Sequence, residues 1–493
     1  MDLRFTSTEA FFRDATGRIA TMPDELAGAV PEIHRAGVCS VLQLGAMVPP
    51  WSPWVGVERL MPRGLVARPS GLEQGAVADL ESAANELISR IDAVLAEIEK
   101  PVLLFSGGMD SGLLAARLAA LGRDDAVLFH YSFGASDGET RVAEAMARHF
   151  GLKLETCGTE GLDPLACLEV PGRIYPMPFA DESTAPMFGL ASVVAERFGG
   201  EGVTVIDGTG ADGAFGMGAK VRQWMKILKI PKGVRQVLGM PYGGGAWLRR
   251  GRVEYWPRLM ERSCSRSPLA ACIAQNPLAG VLYSGEHSGE VCRALDAWVR
   301  EDAGVDVMRG MVVADLGLTC ANIFAQKGAP VLRGAGLKIS YPFLSDAMVE
   351  LGLAVLGREF SLKPKEILRV ALKRQVPAEL VDRRKSGFVD PAQSVFLSDG
   401  FLEILDAAVE CSAPIGDLLV KKNVARASGV LRSGRLLAQQ TLNCLWAIAF
   451  TDRWYRSSRK ARSAPEDRPS EVADAPSGLW QRPRGKALHG PRR

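Results

Sequence analysis

Two rhythms of apolar and polar positions alternate along the chain. From Leu72 to Ile98 apolar residues recur at three and four (Val77, Leu80, Ala83, Leu87, Ile91, Val94, Leu95, Ile98), the period of an amphipathic helix ending before Lys100-Pro101. Then Val102-Leu103-Leu104-Phe105 is a short apolar run, Ser106 to Gly112 is glycine-rich, and Leu113 to Leu121 is rich in Ala and Leu. That order predicts strand, tight loop, helix. The same grammar repeats as a strand over Ala126 to Phe133, a helix over Glu139 to Phe150 and a strand over Lys153 to Thr156. A helix over Thr184 to Phe198 and a strand over Val203 to Ile206 follow, running into a second glycine loop. Strands alternating with helices predict an α/β fold built on a doubly wound parallel sheet, whose ligands sit beyond the carboxyl ends of the strands. Both glycine loops fall at such ends.

The flanks read differently. Residues 1–70 are mixed, with Pro49-Pro50-Trp51-Ser52-Pro53-Trp54 as the densest turn-forming stretch, and predict short strands and loops. Residues 71–454 form the second unit, largely helical after about Lys220, with helical patterns through Leu337, from Asp346 to Leu356 and from Lys365 to Gln375. The basic, Trp-containing stretch from Lys220 to Trp256 fits a packed helical segment with solvated charges, or a lid or docking surface for a peptide or carrier partner. Residues 455–493 turn to Ser, Arg, Pro and Glu and predict a disordered basic tail.

Composition narrows the class. With 493 residues, 47% hydrophobic and 23% charged, the chain can bury sizeable cores, which excludes a disordered, collagenous or disulfide-stapled protein. Lys and Arg total 59 against 56 Asp and Glu, but from Tyr455 onward ten residues are basic and four acidic. The globular part therefore advertises no nucleic-acid surface. Nine cysteines without a CxxC pair predict free thiols in a reducing compartment rather than disulfides or a zinc site. The start lacks a basic segment followed by an apolar one, and no run of roughly 18 apolar residues follows, so a soluble, cytoplasmic protein without a membrane partner is expected. The five histidines, His34, His130, His149, His287 and His489, show no metal-ligand spacing, and none is assigned a catalytic role.

Chemistry concentrates in Ser106-Gly107-Gly108-Met109-Asp110-Ser111, placed between a strand and a helix. Two adjacent glycines let successive N–H groups turn toward an anion, the Ser106 and Ser111 hydroxyls add donors, and the helix N-terminus adds partial positive charge. This is a cradle for phosphate or pyrophosphate. It lacks the GxxxxGK[ST] spacing of enzymes that cut at the γ-phosphate. Asp110 puts a carboxylate where it could hold Mg²⁺ against the phosphates. The second loop, Asp207 to Gly216, is also Gly-rich and carries Asp212, so two loops at adjacent strand ends are suited to clamp one Mg-triphosphate.

The first loop resembles the SGGxDS signature of the PP-loop ATP pyrophosphatases, which split ATP between the α- and β-phosphates. Asp207-Gly208-Thr209-Gly210-Ala211-Asp212-Gly213-Ala214-Phe215-Gly216 resembles the second pyrophosphate loop of the asparagine synthetase family, commonly SGEGADE followed by Phe-Gly. Ser340-Tyr341-Pro342-Phe343-Leu344 is similar to its RxPFLD element, and Leu368-Arg369 through Arg383-Arg384-Lys385-Ser386-Gly387-Phe388 to its closing segment. The resemblance spans roughly residues 100 to 450 in the family's order. It implies an adenine nucleotide α-hydrolase-like fold with ATP and Mg²⁺ as cofactors. It also implies that Asp110 and Asp212 pair as Mg²⁺ ligands and that Lys385 neutralises charge on the phosphates and the acyl intermediate. Gly208 and Gly210 line the second loop, and Phe133-Gly134 lies where the family's backbone receives adenine.

Departures concern the substrate end. Thr209 stands where the family usually has Glu, Gly213 where an acid follows the loop Asp, Asp207 where Ser opens the loop, and Ser345 where PFLD ends in Asp. Retained ATP chemistry with altered substrate handling is expected, which puts free aspartate in doubt. Val41 to Gly64 resembles the tail of a glutaminase domain, but residue 2 is Asp rather than a catalytic Cys and Ser106 arrives after only 105 residues. A truncated remnant without glutaminase activity is the reading. Cys39, being internal, has no free α-amine to act as its base.

The expected function is an ATP-dependent amide-forming ligase. It adenylates a small-molecule or peptide carboxylate, releases pyrophosphate, and passes the acyl group to ammonia, to ammonia from a separate glutaminase, or to an amine on the substrate itself. The last case resembles the family's lasso peptide cyclases and β-lactam synthetases, which need a base near the amine. Asp181 and Glu182 are candidates, with a solvated helix N-terminus as their alternative role. A PP-loop enzyme acting on tRNA would want paired CxxC motifs, which are lacking; an idle nucleotide-binding protein would not need Asp110, Asp212 and Lys385 together.

Overall fold

The computed structural model describes residues 8–60, 77–132, 138–158, 163–200, 202–243, 246–248, 255–264, 267–274, 276, 278–303, 306–382, 394–410 and 412–462. Near the N-terminus, β1 (Phe12–Asp14), β2 (Ile19–Ala20) and β3 (Val57–Arg59) form an antiparallel sheet in the order β2-β1-β3. Between them runs a helix that the sequence pattern did not predict, α1 (Arg35–Leu44), started by His34, whose ring accepts from Gly37 N (2.9 Å). Nine of its ten residues are buried, so it carries no polar stripe from which a period could be read.

The expected amphipathic helix is α2 (Leu80–Ala96). It starts at Asp79, which accepts from Ser82 N (2.7 Å) in a reciprocal cap, and it buries Ala83, Ala84, Leu87, Ile91 and Leu95 on one face. The alternation that follows gives β4 (Pro101–Leu104), α3 (Met109–Ala120), β5 (Val127–Ser132), α4 (Gly138–Phe150), β6 (Lys153–Gly158), the short α5 (Pro171–Ile174), α6 (Thr184–Phe198) and β7 (Thr204–Ile206). A fifth strand, β8 (Lys338–Ser340), was not anticipated. All five pair in parallel in the order β6-β5-β4-β7-β8, with Val102 opposite both Val127 and Val205. The chain builds outward from β4 to β6 and then returns to β7 on the other side of β4. The order therefore reverses between β4 and β7, where a crevice opens in a doubly wound sheet.

The rest is helical. Val307–Ala314 runs into a π-helical stretch, Asp315–Phe324. The run Val307–Lys327 is long and apolar enough to cross a membrane, yet 78% of its apolar window is buried inside the protein. Helices Met217–Leu228 and Lys232–Gly243 run through the stretch from Lys220 to Trp256, the second leaving Val237 and Met240 exposed.

The final helix, Gln439–Arg462, moves the boundary expected at Tyr455, because it passes through that residue and buries it. Tyr455 OH donates to Pro53 O (3.1 Å), Trp454 Nε1 donates to Tyr175 O (2.8 Å), and the Trp54 and Trp454 rings lie 6.0 Å apart. The N-terminal segment thus shares one core with the last helix. Arg59 buries its guanidinium there and donates to Asn322 Oδ1 (2.6 Å), burial lowering it to about 10.

Candidate active site

Backbone geometry explains the glycines of the first loop. Gly107 has φ +69°, and a Cβ on it would lie 3.0 Å from Ala143 N, so both conformation and close approach to α4 require glycine. Ser106 Oγ accepts from Gly108 N (3.2 Å) and meets Ser111 Oγ at 3.2 Å, which fixes both hydroxyls at the start of α3. Asp110 lies in the first turn of that helix. His130, reaching over from β5, holds the carbonyl of Phe105 (2.8 Å) and Thr140 Oγ1 (3.0 Å), a structural use of its ring.

The second loop follows β7, next to β4. A Cβ on Gly208 would stand 3.4 Å from Asp110 Cβ, so the two loops touch. Asp207 Oδ1 accepts from both Thr209 N (2.7 Å) and Thr209 Oγ1 (2.8 Å), folding the threonine back on its own loop. Gly210 takes φ +107°, with Leu344 packed where a side chain would go, so the Ser340–Leu344 element braces the loop from β8. Asp212 follows on α7 (Ala211–Phe215). The departure at Gly213 falls at a tightly packed position. A Cβ there would lie 2.7 Å from Leu316 Cδ2, 3.0 Å from Cys320 Sγ and 3.2 Å from Asp315 Oδ2. A buried carboxylate of the π-helical stretch thus stands beside the position where the family pattern has an acid.

Asp110 and Asp212 meet on a residue that sequence reasoning missed. Lys365 Nζ donates to Asp110 Oδ1 (2.9 Å) and Oδ2 (2.7 Å) and lies 2.8 Å from Asp212 Oδ2. Its backbone is left-handed (φ +54°), and its N–H donates to Phe215 O (3.2 Å) at the end of α7. Burial alone would lower its pKa; the two carboxylates outweigh that and raise it above the usual lysine value. The signal available was Lys363-Pro364-Lys365-Glu366, a proline-marked turn opening a helix.

A cavity of about 650 Å³ runs from these loops to a second wall. That wall carries Asp181, Glu182, Ser183, Phe324, Lys327 and Gln439. Asp181 and Glu182, just before α6, both line the cavity and so do more than open a solvated helix. Burial first, then the Asp181 charge beside it, pushes Glu182 up to about 7. Gly107, Gly108, Gly208 and Gly210 shape the loops, and Ser106, Asp110, Ser111 and Asp212 line the cavity. Lys385, Phe133 and Gly134 lie outside the described residues. Cys39 is buried in α1, and desolvation pushes its thiol up to about 12, which leaves it no thiolate character. All eight cysteines among the described residues are free.

A glycine cradle at the switch point of a doubly wound sheet, faced by a second loop and paired carboxylates, defines a phosphate-handling α/β protein. A family model for asparagine synthase matches residues 95–456, nearly the whole of this architecture, and the chain belongs to that family of ATP-dependent amide-forming ligases. No curated protein matches the chain.

Proposed function

We propose that this chain is an ATP-dependent carbon–nitrogen ligase that transfers AMP to a substrate carboxylate with loss of pyrophosphate and then passes the acyl group to ammonia or an amine. The observation that carries the reading is the convergence of Asp110 and Asp212 on one ammonium, at the mouths of two touching glycine loops. Lys365 Nζ is a cation already seated between them, so the pair accepts positive charge at a single point. Among the described residues no group of three or more His, Cys, Asp or Glu side chains could hold a metal by itself. Two carboxylates suit Mg²⁺ arriving with the phosphates, which needs only one or two protein ligands. Asp110 and Asp212 would hold it, and its role is to neutralise charge on the triphosphate.

The chain's own residues do the rest. Backbone N–H groups of the Ser106–Ser111 loop and the start of α3 orient the phosphates, and Ser106 and Ser111 add hydroxyl donors. Lys365 meets the negative charge that builds on the departing pyrophosphate, with Lys385 assigned the same sign of work. A cytoplasmic setting belongs to the same proposal. The N-terminal segment is a remnant that packs and does not catalyse, so the amine is free, supplied by another protein, or part of the substrate.

The test is radiolabelled pyrophosphate exchange into ATP with Mg²⁺, across a panel of carboxylates that includes aspartate and peptides. Exchange that depends on one acid and disappears in Asp110→Ala supports the reading and names the acid. Absence of exchange with every acid refutes it.

A further inference from the structure

The second wall of the cavity differs in chemistry from the phosphate end. Two carboxylates, Asp181 and Glu182, face the cavity there beside one ammonium, that of Lys327, and a third, Asp207, faces it from the second glycine loop. Two of the three are already engaged. Asp207 Oδ1 holds Thr209 twice, and Asp181 uses Oδ1 for Ser183 N (2.8 Å) while its Oδ2 stands 3.3 Å from Lys327 Nζ. Lys327 is fixed in turn by Ser183 Oγ (2.7 Å) and by the Phe324 ring, whose centroid is 4.6 Å away.

Glu182 stands apart, because its hydrogen-bond donors among the described residues are neutral amides. Gln439 Nε2 donates to Oε1 (2.8 Å), and Asn443, with its amide turned to satisfy its neighbours, donates to Oε2 (2.9 Å). Both come from the last helix, Gln439–Arg462. Among the described residues the charged groups that act on it are Asp181 beside it and Lys327 on the same wall. Thr209, turned back onto Asp207, adds no carboxylate of its own to the cavity. Among the described residues Glu182 is thus a positioned carboxylate without a salt-bridge partner, in the same cavity as the Ser106–Ser111 loop.

We infer that this wall is the acceptor subsite, that the second substrate enters it as a protonated primary amine or ammonium, and that Glu182 is the base that removes its proton before the carbon–nitrogen bond forms. The inference rests on the ligase reading above. In balance, R–NH₃⁺ gives one proton to the Glu182 carboxylate, and the freed nitrogen lone pair attacks the acyl carbon. The C–N bond forms, and the C–O bond to AMP breaks with its electron pair going to the phosphate oxygen. The second nitrogen proton leaves to that phosphate or to solvent. The raised affinity of Glu182 for protons suits a base working near neutrality. An ammonium also complements a wall where carboxylates outnumber the lysine, whereas an anionic second substrate would meet like charge.

The test uses a carboxylate that supports exchange in the wild type and two nucleophiles: ammonium chloride, which must lose a proton to react, and hydroxylamine, which is already neutral at pH 7. In Glu182→Gln, pyrophosphate exchange should persist. Amide formed from ammonium should fall by about 10²-fold or more, and hydroxamate formed from hydroxylamine by less than about threefold. Amide formation from ammonium within a few-fold of wild type overturns the inference, as does equal loss with both nucleophiles. A second readout needs no variant. Wild-type amide formation at fixed total ammonium should rise to a plateau above pH ~7, following Glu182. A rise that continues to ammonia's own pKa shows capture of free ammonia without a protein base and overturns the inference. Absence of exchange in the wild type with every acid marks failure of the ligase reading instead, and the inference falls with it.

Discussion

Replacing Lys365 with methionine removes one positive charge from between Asp110 and Asp212 while keeping much of the side-chain volume. The lysine side chain is 13% exposed, Asp110 20% and Asp212 72%. Water screens the Asp212 contact, which is worth at most about 1 kcal/mol. The contact to Asp110 is a charge-assisted hydrogen bond in a mostly buried setting, worth about 1.5–3 kcal/mol. With nucleotide bound, the same ammonium faces phosphate charge, and losing one preorganised donor of that kind costs about 10²–10³ in turnover. For a divalent cation alone the sign reverses, because the two carboxylates lose their resident competitor. Lys365→Met should therefore bind Mn²⁺ without nucleotide at least about tenfold more tightly, a gain of about 1.4 kcal/mol. Its carboxylate-dependent pyrophosphate exchange should drop by about two orders of magnitude. Titration calorimetry and the exchange assay read the two quantities separately. Exchange within threefold of wild type, or weaker Mn²⁺ binding, would refute the placement of Lys365 at the phosphates.

Three other outcomes follow from the geometry. Gly210→Ala forces a non-glycine residue to φ +107° with its Cβ 2.6 Å from Leu344 Cδ2, so it should cost about 1–3 kcal/mol in denaturant unfolding and lose exchange as well. Gly172→Ala, whose Cβ would press on the carbonyl of Trp454 and lie 2.8 Å from Ser457 Oγ, should lose a similar amount of stability while the folded fraction keeps its exchange rate. Glu261, raised by burial from 4.5 to about 7 with Oε2 unpaired, binds its proton more tightly folded than unfolded. Its contribution is complete below pH 4.5 and is lost as pH rises toward 7. Urea unfolding at pH 5 and pH 8 should show a loss in the wild type that exceeds the loss in Glu261→Gln by up to about 3 kcal/mol.

The sheet was legible because each of its units is a local signal: an apolar run, a glycine turn, an Ala-rich helix. Thr184 to Phe198 emerged with the bounds its pattern predicts. Features set by distant packing were not legible. The helix Arg35–Leu44 is buried nearly all round and so lacks a stripe, and β8 is only three residues long. Lys365 could not be chosen among many lysines, since its role depends on a left-handed backbone that aims it at Asp110 and Asp212, both more than 150 residues before it. Gly213 reads from sequence as one departure from the family pattern, and its close contacts with Leu316 and Cys320 became apparent only in three dimensions. Asp181 and Glu182 were visible as acids before a helix, while their shared cavity with the phosphate loop became apparent only in three dimensions.

The helix Gln439–Arg462 has a consequence for how the molecule comes into being. It supplies Gln439 to the cavity wall and, through Trp454 and Tyr455, closes against Trp54 and Pro53 at the opposite end of the sequence. Domains tend to fold from the N-terminus as they leave the ribosome. Here the sheet and both glycine loops emerge while the wall opposite them still lacks its last member. Until residue 439 and the turns after it have been translated, the nascent chain can assemble a nucleotide cradle without a finished acceptor pocket. A message stopped anywhere before that helix would yield a protein that shelters neither Trp54 nor Glu182.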